Sequence, residues 1–258
     1  LTSRTVPKSH LLNAITLHSG ISEAAFFIGP IAAGFLIDYV GVGTTFLING
    51  CLFLPSMVAI ALMRTSGEAE VPRQTVSMRA VLEGMRFVWQ ERVLLAMFLL
   101  DFGVVMVGFY RPLLPILAKD VFDVGPVGLG ILFAAPAVGS MLGSATILVI
   151  GEVQQKGRLF LVSILMYAGS LAWLGASEWF WMGLLAAGAL GYTDSLSVAV
   201  RTTASQLLAP DRLRGRTASY SMVFAVLGNA IGTMEAGFVA GVLGAPGALF
   251  IGGAVSVV

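Results

Sequence analysis

The sequence predicts an all-α protein, a polytopic bundle of helices that cross a lipid bilayer several times. Of the 258 residues, 57% are hydrophobic and 11% are charged, whereas soluble domains carry about 25% charged residues. The mean hydropathy is +0.90, and the apolar residues fall in long runs separated by turn-like or charged breaks. A chain with so few polar side chains cannot cover a water-facing surface, so we expect most of its outside to face lipid.

The apolar runs predict eight membrane spans. A helix needs about 20 apolar residues to cross a bilayer, and it satisfies its own backbone hydrogen bonds there. The runs occupy roughly 11–37, 44–63, 93–118, 127–150, 159–176, 179–207, 217–243 and 246–258. The last run is too short to cross. Since the sequence starts at Leu1 and stops inside this run, we expect a fragment of a longer chain.

The basic residues predict the orientation of the spans. Almost all lysines and arginines outside the spans lie in alternate loops, at 1–10, 64–92, 151–158 and 209–216, and the opposite loops contain only Lys119. Cytoplasmic loops carry such an excess, so we expect these four segments to be cytoplasmic. Within the second of them, residues 78–89 have apolar side chains at helical spacing. This spacing fits an amphipathic helix on the membrane surface or a short helix in a solvated linker.

Several other classes of protein find little support in the sequence. Cys51 is the one cysteine, so a disulfide framework within this sequence is excluded. Neither an HExxH nor a GxSxG motif is present, and no basic patch suggests nucleic-acid binding. We therefore expect no enzyme activity, no catalytic residue, no metal and no cofactor.

A repeated phrase indicates internal duplication. GPIAAGF at 29–35 matches GTMEAGF at 232–238, an offset of 203 positions that also aligns Gly41 with Gly244. The two helices run in the same direction, and six spans separate their starts. This predicts a parallel six-helix repeat, a form that secondary transporters take. We expect 1–63 to hold the last two helices of an N-terminal half, 64–92 to be a cytoplasmic linker, and 93–258 to be the C-terminal half with its last helix truncated.

Small residues in the spans predict close helix packing. Glycines four positions apart let neighbouring helices approach each other, and they occur as Gly139 and Gly143, Gly228 and Gly232, and Gly237 and Gly241. Prolines inside spans free a carbonyl oxygen that a partner or water can take, and they occur at Pro30, Pro112, Pro115 and Pro136.

Six charged residues lie inside the apolar spans, namely Glu23, Asp101, Arg111, Asp194, Arg201 and Glu235. A central charge costs roughly 2.5–3.5 kcal/mol on insertion scales, so several together predict pairing, protonation or a wet cavity. Four different helices each offer one acid to what would be a shared interior. Because a low-dielectric cavity favours the neutral form of a carboxyl group, such an acid can take up a proton on one side and release it on the other.

These charges give the candidate residues for proton coupling and for a substrate cavity, which are Glu23, Asp101, Asp194, Arg201 and Glu235. Other interpretations remain open at this point. Arg111 and Arg201 also fit a role in which they reach towards the membrane interfaces or balance local acids. Glu235 also fits a structural role.

A set of motifs in a fixed order resembles a known family. The motifs are VPKSHLLNA, GPIAAG, FLIN, RPLLPILAKDVF, GLGILFAAPAVGSMLGS and APDRLRGR. Their order resembles the major facilitator superfamily, in particular the branch of enterobactin exporters known as transmembrane secretion effectors. The resemblance covers the whole chain and implies helices five to twelve of a 12-helix fold.

The resemblance also implies a function. It implies a secondary active transporter that exports a siderophore- or drug-like molecule by alternating access and proton antiport. Its partners would be the small-molecule substrate, protons and the lipid bilayer, in a monomeric multi-pass protein of the bacterial inner membrane. The alternatives are an importer of the same fold and a membrane scaffold that does not transport.

Two further groups of residues take roles from this resemblance. Gly29, Pro30, Ala33 and Gly34 stand at the antiporter signature, where three of the family's glycines are replaced. Arg212, Arg214 and Arg216 are implied to form a cytoplasmic gate, and attraction to anionic lipid is the equal alternative. The loop GEVQQKGR has Gln155 where the family's gating motif has an aspartate.

Overall fold

The computed structural model describes residues 11–62, 85–151, 155–210 and 213–256. Within these ranges all regular secondary structure is helical, which confirms the all-α class. The long helices are α1 (Leu11–Ala61), α2 (Arg92–Val107), α3 (Pro126–Ile150), α4 (Lys156–Gly175), α5 (Phe180–Leu208) and α6 (Arg214–Val255). Residues 85–90 are also helical, and the remainder of the predicted amphipathic segment 78–89 lies outside the described residues.

Six helices in the described residues are long and apolar enough to cross a membrane. Their outer surfaces carry large apolar side chains, such as Val149, Met234 and Phe238, which are 87%, 77% and 76% exposed. An exposed apolar surface this extensive is unfavourable in water and favourable in contact with lipid. The chain is therefore a multi-pass membrane protein, as its composition predicts.

Helices α1 and α6 each contain two predicted spans joined at one glycine. The bend in α1 is at Gly41, with φ 80° and ψ 166°, and the bend in α6 is at Gly244, with φ 75° and ψ 166°. Only glycine adopts this backbone region readily. The two glycines are 203 positions apart. The offset read from the sequence therefore appears also in the backbone geometry.

The described residues group into two compact units. The first is drawn from 1–75 and 125–134, and the second from 76–124 and 135–258. In the first unit α1 packs on the start of α3 with almost no space between the backbones. A Cβ atom on Gly34 would lie 2.5 Å from the Pro126 carbonyl oxygen, and one on Gly130 would collide with the Pro30 carbonyl oxygen. This contact uses two residues of the GPIAAG motif.

The second unit is built around α4 and α5, which pack along their lengths, and α6, which packs on α2 and α4. Phe98, Phe160 and Leu190 are fully or almost fully buried in it. The α3–α5 contact is made by glycines: a Cβ atom on Gly139 would collide with the Gly188 carbonyl oxygen, and one on Gly191 with that of Pro136. Helices that approach this closely gain dispersion contacts, which drive association where no hydrophobic effect acts.

Candidate functional site

The membrane span that starts with α2 is interrupted in its middle. The apolar segment runs from Arg92 to Val121, but α2 ends at Val107, and three short turns follow at Arg111–Leu113, Leu114–Ile116 and Leu117–Val121. Pro112 explains the position of this break, because it has no N–H to donate to the carbonyl four residues earlier, at Gly108. The Tyr167 hydroxyl of α4 donates to that carbonyl instead, at 3.1 Å.

Glycines of α6 cover the other carbonyl groups at the break. A Cβ atom on Gly232 would lie 2.6 Å from the Val105 carbonyl oxygen, and a Cβ atom on Gly252 would lie 2.7 Å from that of Val107. A side chain at either position would push the two helices apart. The predicted small-residue pair Gly228 and Gly232 thus packs directly on the broken span.

Four polar side chains meet at the break, and we call them the helix-break site: Tyr110, Arg111, Tyr167 and Asp194. Arg111 interacts electrostatically with the Tyr110 hydroxyl and with the Asp194 carboxylate of α5. The two tyrosines are buried, whereas Arg111 and Asp194 are exposed. The site therefore has one exposed acidic and one exposed basic side chain, which lie beside two buried tyrosines.

A second charged pair lies beside the helix-break site. Arg201 of α5 forms an ion pair with Asp101 of α2, and the two side chains are only 11% and 14% exposed. An apolar cluster that includes Met97, Phe160 and Val200 packs in the same part of the unit. This ion pair fits the interpretation in which Arg201 balances a local acid, and its candidate role in proton coupling stays a prediction.

This ion pair could have been predicted by comparing how deep Asp101 and Arg201 lie in the membrane. Asp101 lies nine residues after the start of α2, and Arg201 lies seven residues before the end of α5. At 1.5 Å per residue these positions are about 13 and about 10 Å from neighbouring helix ends. Helical angles show which residues share a face of one helix, whereas opposite charges at similar depth on different helices indicate a pair.

A small cavity connects the two groups of charges. Its volume is about 20 Å³, and its lining includes Asp101, Ser163, Tyr167, Thr193 and Asp194. One water molecule needs roughly 10–15 Å³ of such volume and two to four polar partners. The cavity therefore has the size and the polar lining for a single water between the two acids.

The remaining candidate residues lie elsewhere. Glu23 is exposed on α1, and Glu235 is half-buried on α6, three residues beyond Gly232. Arg212 lies outside the described residues, and the backbones of Arg214 and Arg216 form the first turn of α6.

The four residues at the antiporter signature all lie within α1. Gly34 is buried, Pro30 and Ala33 are half-buried, and Gly29 is exposed. A Cβ atom on Gly29 would meet nothing within 4 Å.

A multi-pass helical bundle with a discontinuous, charge-bearing span has the build of a secondary transporter, in which broken helices form the binding sites. The sequence pattern of the transmembrane secretion effector family matches residues 1–258. The chain belongs to this family of major facilitator transporters, which confirms the resemblance seen in its motifs.

Curated relatives of the chain are bacterial efflux pumps. The multidrug efflux pump Tap of Mycolicibacterium fortuitum is 24% identical over 231 residues, which cover 87% of this chain and 56% of the relative. Tap of Mycobacterium tuberculosis H37Rv is 33% identical over 134 residues, covering 49% of this chain and 31% of the relative. The multi-drug resistance efflux pump PmrA of Streptococcus pneumoniae TIGR4 is 26% identical, covering 95% of this chain and 61% of the relative.

Proposed function

We propose that the whole protein exports a small organic molecule across the bacterial inner membrane by alternating access, in exchange for protons. The helix-break site carries this proposal, because it places an exposed acid and base at an interruption of a membrane span. The names of the relatives support export over import, and they support a drug-like substrate. The chain spans 56% of the length of Tap of Mycolicibacterium fortuitum and 61% of that of PmrA.

Asp194 is the acid that we assign to proton exchange. Asp101 is held in an ion pair with Arg201, so its charge is already balanced within the protein. Asp194 is exposed, and Arg111 is the charged side chain that interacts with it. Because Arg111 is exposed, protonation of Asp194 does not leave an unpaired charge in a buried position. When Asp194 is protonated, Arg111 loses its carboxylate partner, which couples protonation to a rearrangement at the break.

The other candidate residues keep subsidiary roles in this proposal. Glu23 and Glu235 remain secondary proton sites. The contact of Gly34 with Pro126 supports a packing role for the antiporter-like motif of Gly29, Pro30, Ala33 and Gly34. Arg212, Arg214 and Arg216 form the cytoplasmic gate, and the protein acts as a monomer.

The test is transport by the full-length protein in proteoliposomes with an imposed pH gradient. A fluorescent lipophilic dye serves as the substrate, and a pH-sensitive dye reports proton movement. We expect the Asp194→Asn variant to lose gradient-driven accumulation by at least about tenfold, because an amide cannot carry a proton. Exchange of dye between the two sides without a gradient should persist, because alternating access itself is retained.

The matched control is Glu178→Gln, which neutralises an exposed acid between α4 and α5 that is not among the candidate residues. We expect it to keep most of the gradient-driven accumulation. Unchanged accumulation in Asp194→Asn would refute the assignment of Asp194. Absence of any proton movement in the unmodified protein would refute antiport and favour a scaffold.

A further inference from the structure

A groove opens between α3, α4 and α5 at the end of the bundle where α3 stops. It has a volume of about 290 Å³ and a mostly apolar lining. Six of its lining residues are Ile147, Lys156, Leu159, Ala199, Thr203 and Leu207. Lys156, in the first turn of α4, is the charged residue in this lining.

The sequence of α3 explains why the groove forms here. Gly139 and Gly143 lie against α5, where a Cβ atom on Gly143 would collide with the Ser195 hydroxyl and lie 2.7 Å from the Tyr192 carbonyl oxygen. One turn later the residue on this face is Ile147, and its counterpart on α5 is Ala199. A large side chain replaces glycine at that point, so the two helices cannot stay in backbone contact and a space opens between them.

The groove shares no lining residue with the cavity beside the helix-break site, although Val200 lines the groove and also packs in the apolar cluster near the ion pair. At 100° per residue, Thr203 points roughly 160° away from Arg201. The groove therefore does not belong to the cavity of the helix-break site. Its mostly apolar lining makes lipid its natural neighbour.

Charge and position together indicate the kind of lipid. Lys156 belongs to the segment 151–158, which is cytoplasmic on the orientation that the basic residues predict. Basic pockets between spans on the cytoplasmic side suit anionic lipid head groups. Glu152, the acidic residue of this loop, lies outside the described residues.

We propose that the groove binds an anionic phospholipid, with one acyl chain against Leu159, Ala199 and Leu207 and the head-group phosphate at Lys156. The apolar walls bury methylene groups, and the ammonium group gives the preference for a negative head group. This site is independent of the proposed proton exchange, so its failure would leave the transport proposal intact.

Native mass spectrometry of the full-length protein in detergent tests the preference. Palmitoyl-oleoyl phosphatidylglycerol is titrated against palmitoyl-oleoyl phosphatidylcholine, which has the same chains. We expect the first bound lipid to be the phosphatidylglycerol, with at least about fivefold tighter binding, which corresponds to about 1 kcal/mol for one charge. In Lys156→Gln the two lipids should bind equally.

Arg158→Gln is the matched control, because Arg158 is exposed, bonds to Gln155 at 3.5 Å and does not line the groove. It should keep the preference for phosphatidylglycerol.

Ala199→Phe fills the groove without changing charge, and it should weaken the first binding event for both lipids even if the lysine variant fails to fold. Equal binding of the two lipids by the unmodified protein, an unaltered preference in Lys156→Gln, or full retention in Ala199→Phe would overturn the proposal. An effect of Arg158→Gln as large as that of Lys156→Gln would overturn it too.

Discussion

Asp101 and Arg201 form an ion pair that joins α2 to α5 inside the membrane-spanning part of the second unit. The pair cancels two charges that would each be costly alone. It also leaves Asp194 as the acid on α5 whose partner, Arg111, lies at a break in the neighbouring span. The two acids thus have different surroundings, although they look alike in the sequence.

The ion pair predicts a non-additive pattern of stability. Arg201→Gln leaves the Asp101 carboxylate without its counter-charge, and Asp101→Asn does the same to the guanidinium. Each single variant should lose about 3–5 kcal/mol of unfolding free energy, because a charge buried without its partner is expensive. The double variant, which has no charge in either position, should lose much less than the sum. Thermal unfolding in detergent measures all three, and a double variant as unstable as the sum would exclude the pair.

The bond from Tyr167 to the Gly108 carbonyl predicts a cost for removing one hydroxyl. Tyr167→Phe leaves that carbonyl without its partner at the break, which should cost about 1–3 kcal/mol. Tyr39→Phe is the control, because Tyr39 is 79% exposed and should change stability little. Equal losses in the two variants, measured by the same thermal unfolding, would show that the bond does not support the break.

Alanine should have different effects at two glycines, because Gly139 lies in the α3–α5 contact whereas Gly169 has open surroundings. Gly139→Ala places a methyl group against the Gly188 carbonyl, so it should destabilise the protein. Gly169→Ala on α4 meets nothing within 4 Å, and alanine is favoured over glycine in a helix by about 1 kcal/mol. It should therefore be neutral or stabilising in unfolding measurements. A gain of stability in Gly139→Ala would contradict the close approach of α3 and α5.

The bends at Gly41 and Gly244 predict a backbone penalty that does not depend on space. Alanine at either position would be held in a region that only glycine adopts readily, at a cost of about 1–3 kcal/mol. Gly43→Ala is the control, since Gly43 has the same open surroundings as Gly41 and an ordinary helical backbone. The change in unfolding temperature should be large for Gly41→Ala and Gly244→Ala and small for Gly43→Ala. Tolerance of alanine at both bends would refute the assigned backbone angles.

The membrane spans and the internal repeat of Gly41 and Gly244 could be predicted from the amino-acid sequence. The spans follow from runs of apolar residues, which depend on composition along the chain alone. The equivalence of Gly41 and Gly244 follows from self-comparison at an offset of 203. Both features depend only on the order of residues along the chain, so they can be predicted without knowing which helices become neighbours.

The break after Val107 and the partner of Arg201 needed tertiary information. Pro112 indicates a weakened turn, but its effect on the span depends on Tyr167 and Gly232, which come from other helices. A helix with a proline often bends and continues, because neighbours satisfy the freed carbonyl in place. Here the close approach of α6 glycines and the hydroxyl of α4 stabilise a full interruption. Such contacts between distant parts of the chain cannot be read from the spacing of residues within one span.

The shared bend at Gly41 and Gly244 gives α1 and α6 the same internal joint. At each bend a single glycine lets two predicted spans follow one another without a separate loop. The position that holds Glu235 in the second copy holds Ala32 in the first. The bend is thus common to the two matched stretches, whereas the glutamate occurs only in the second of the two matched phrases.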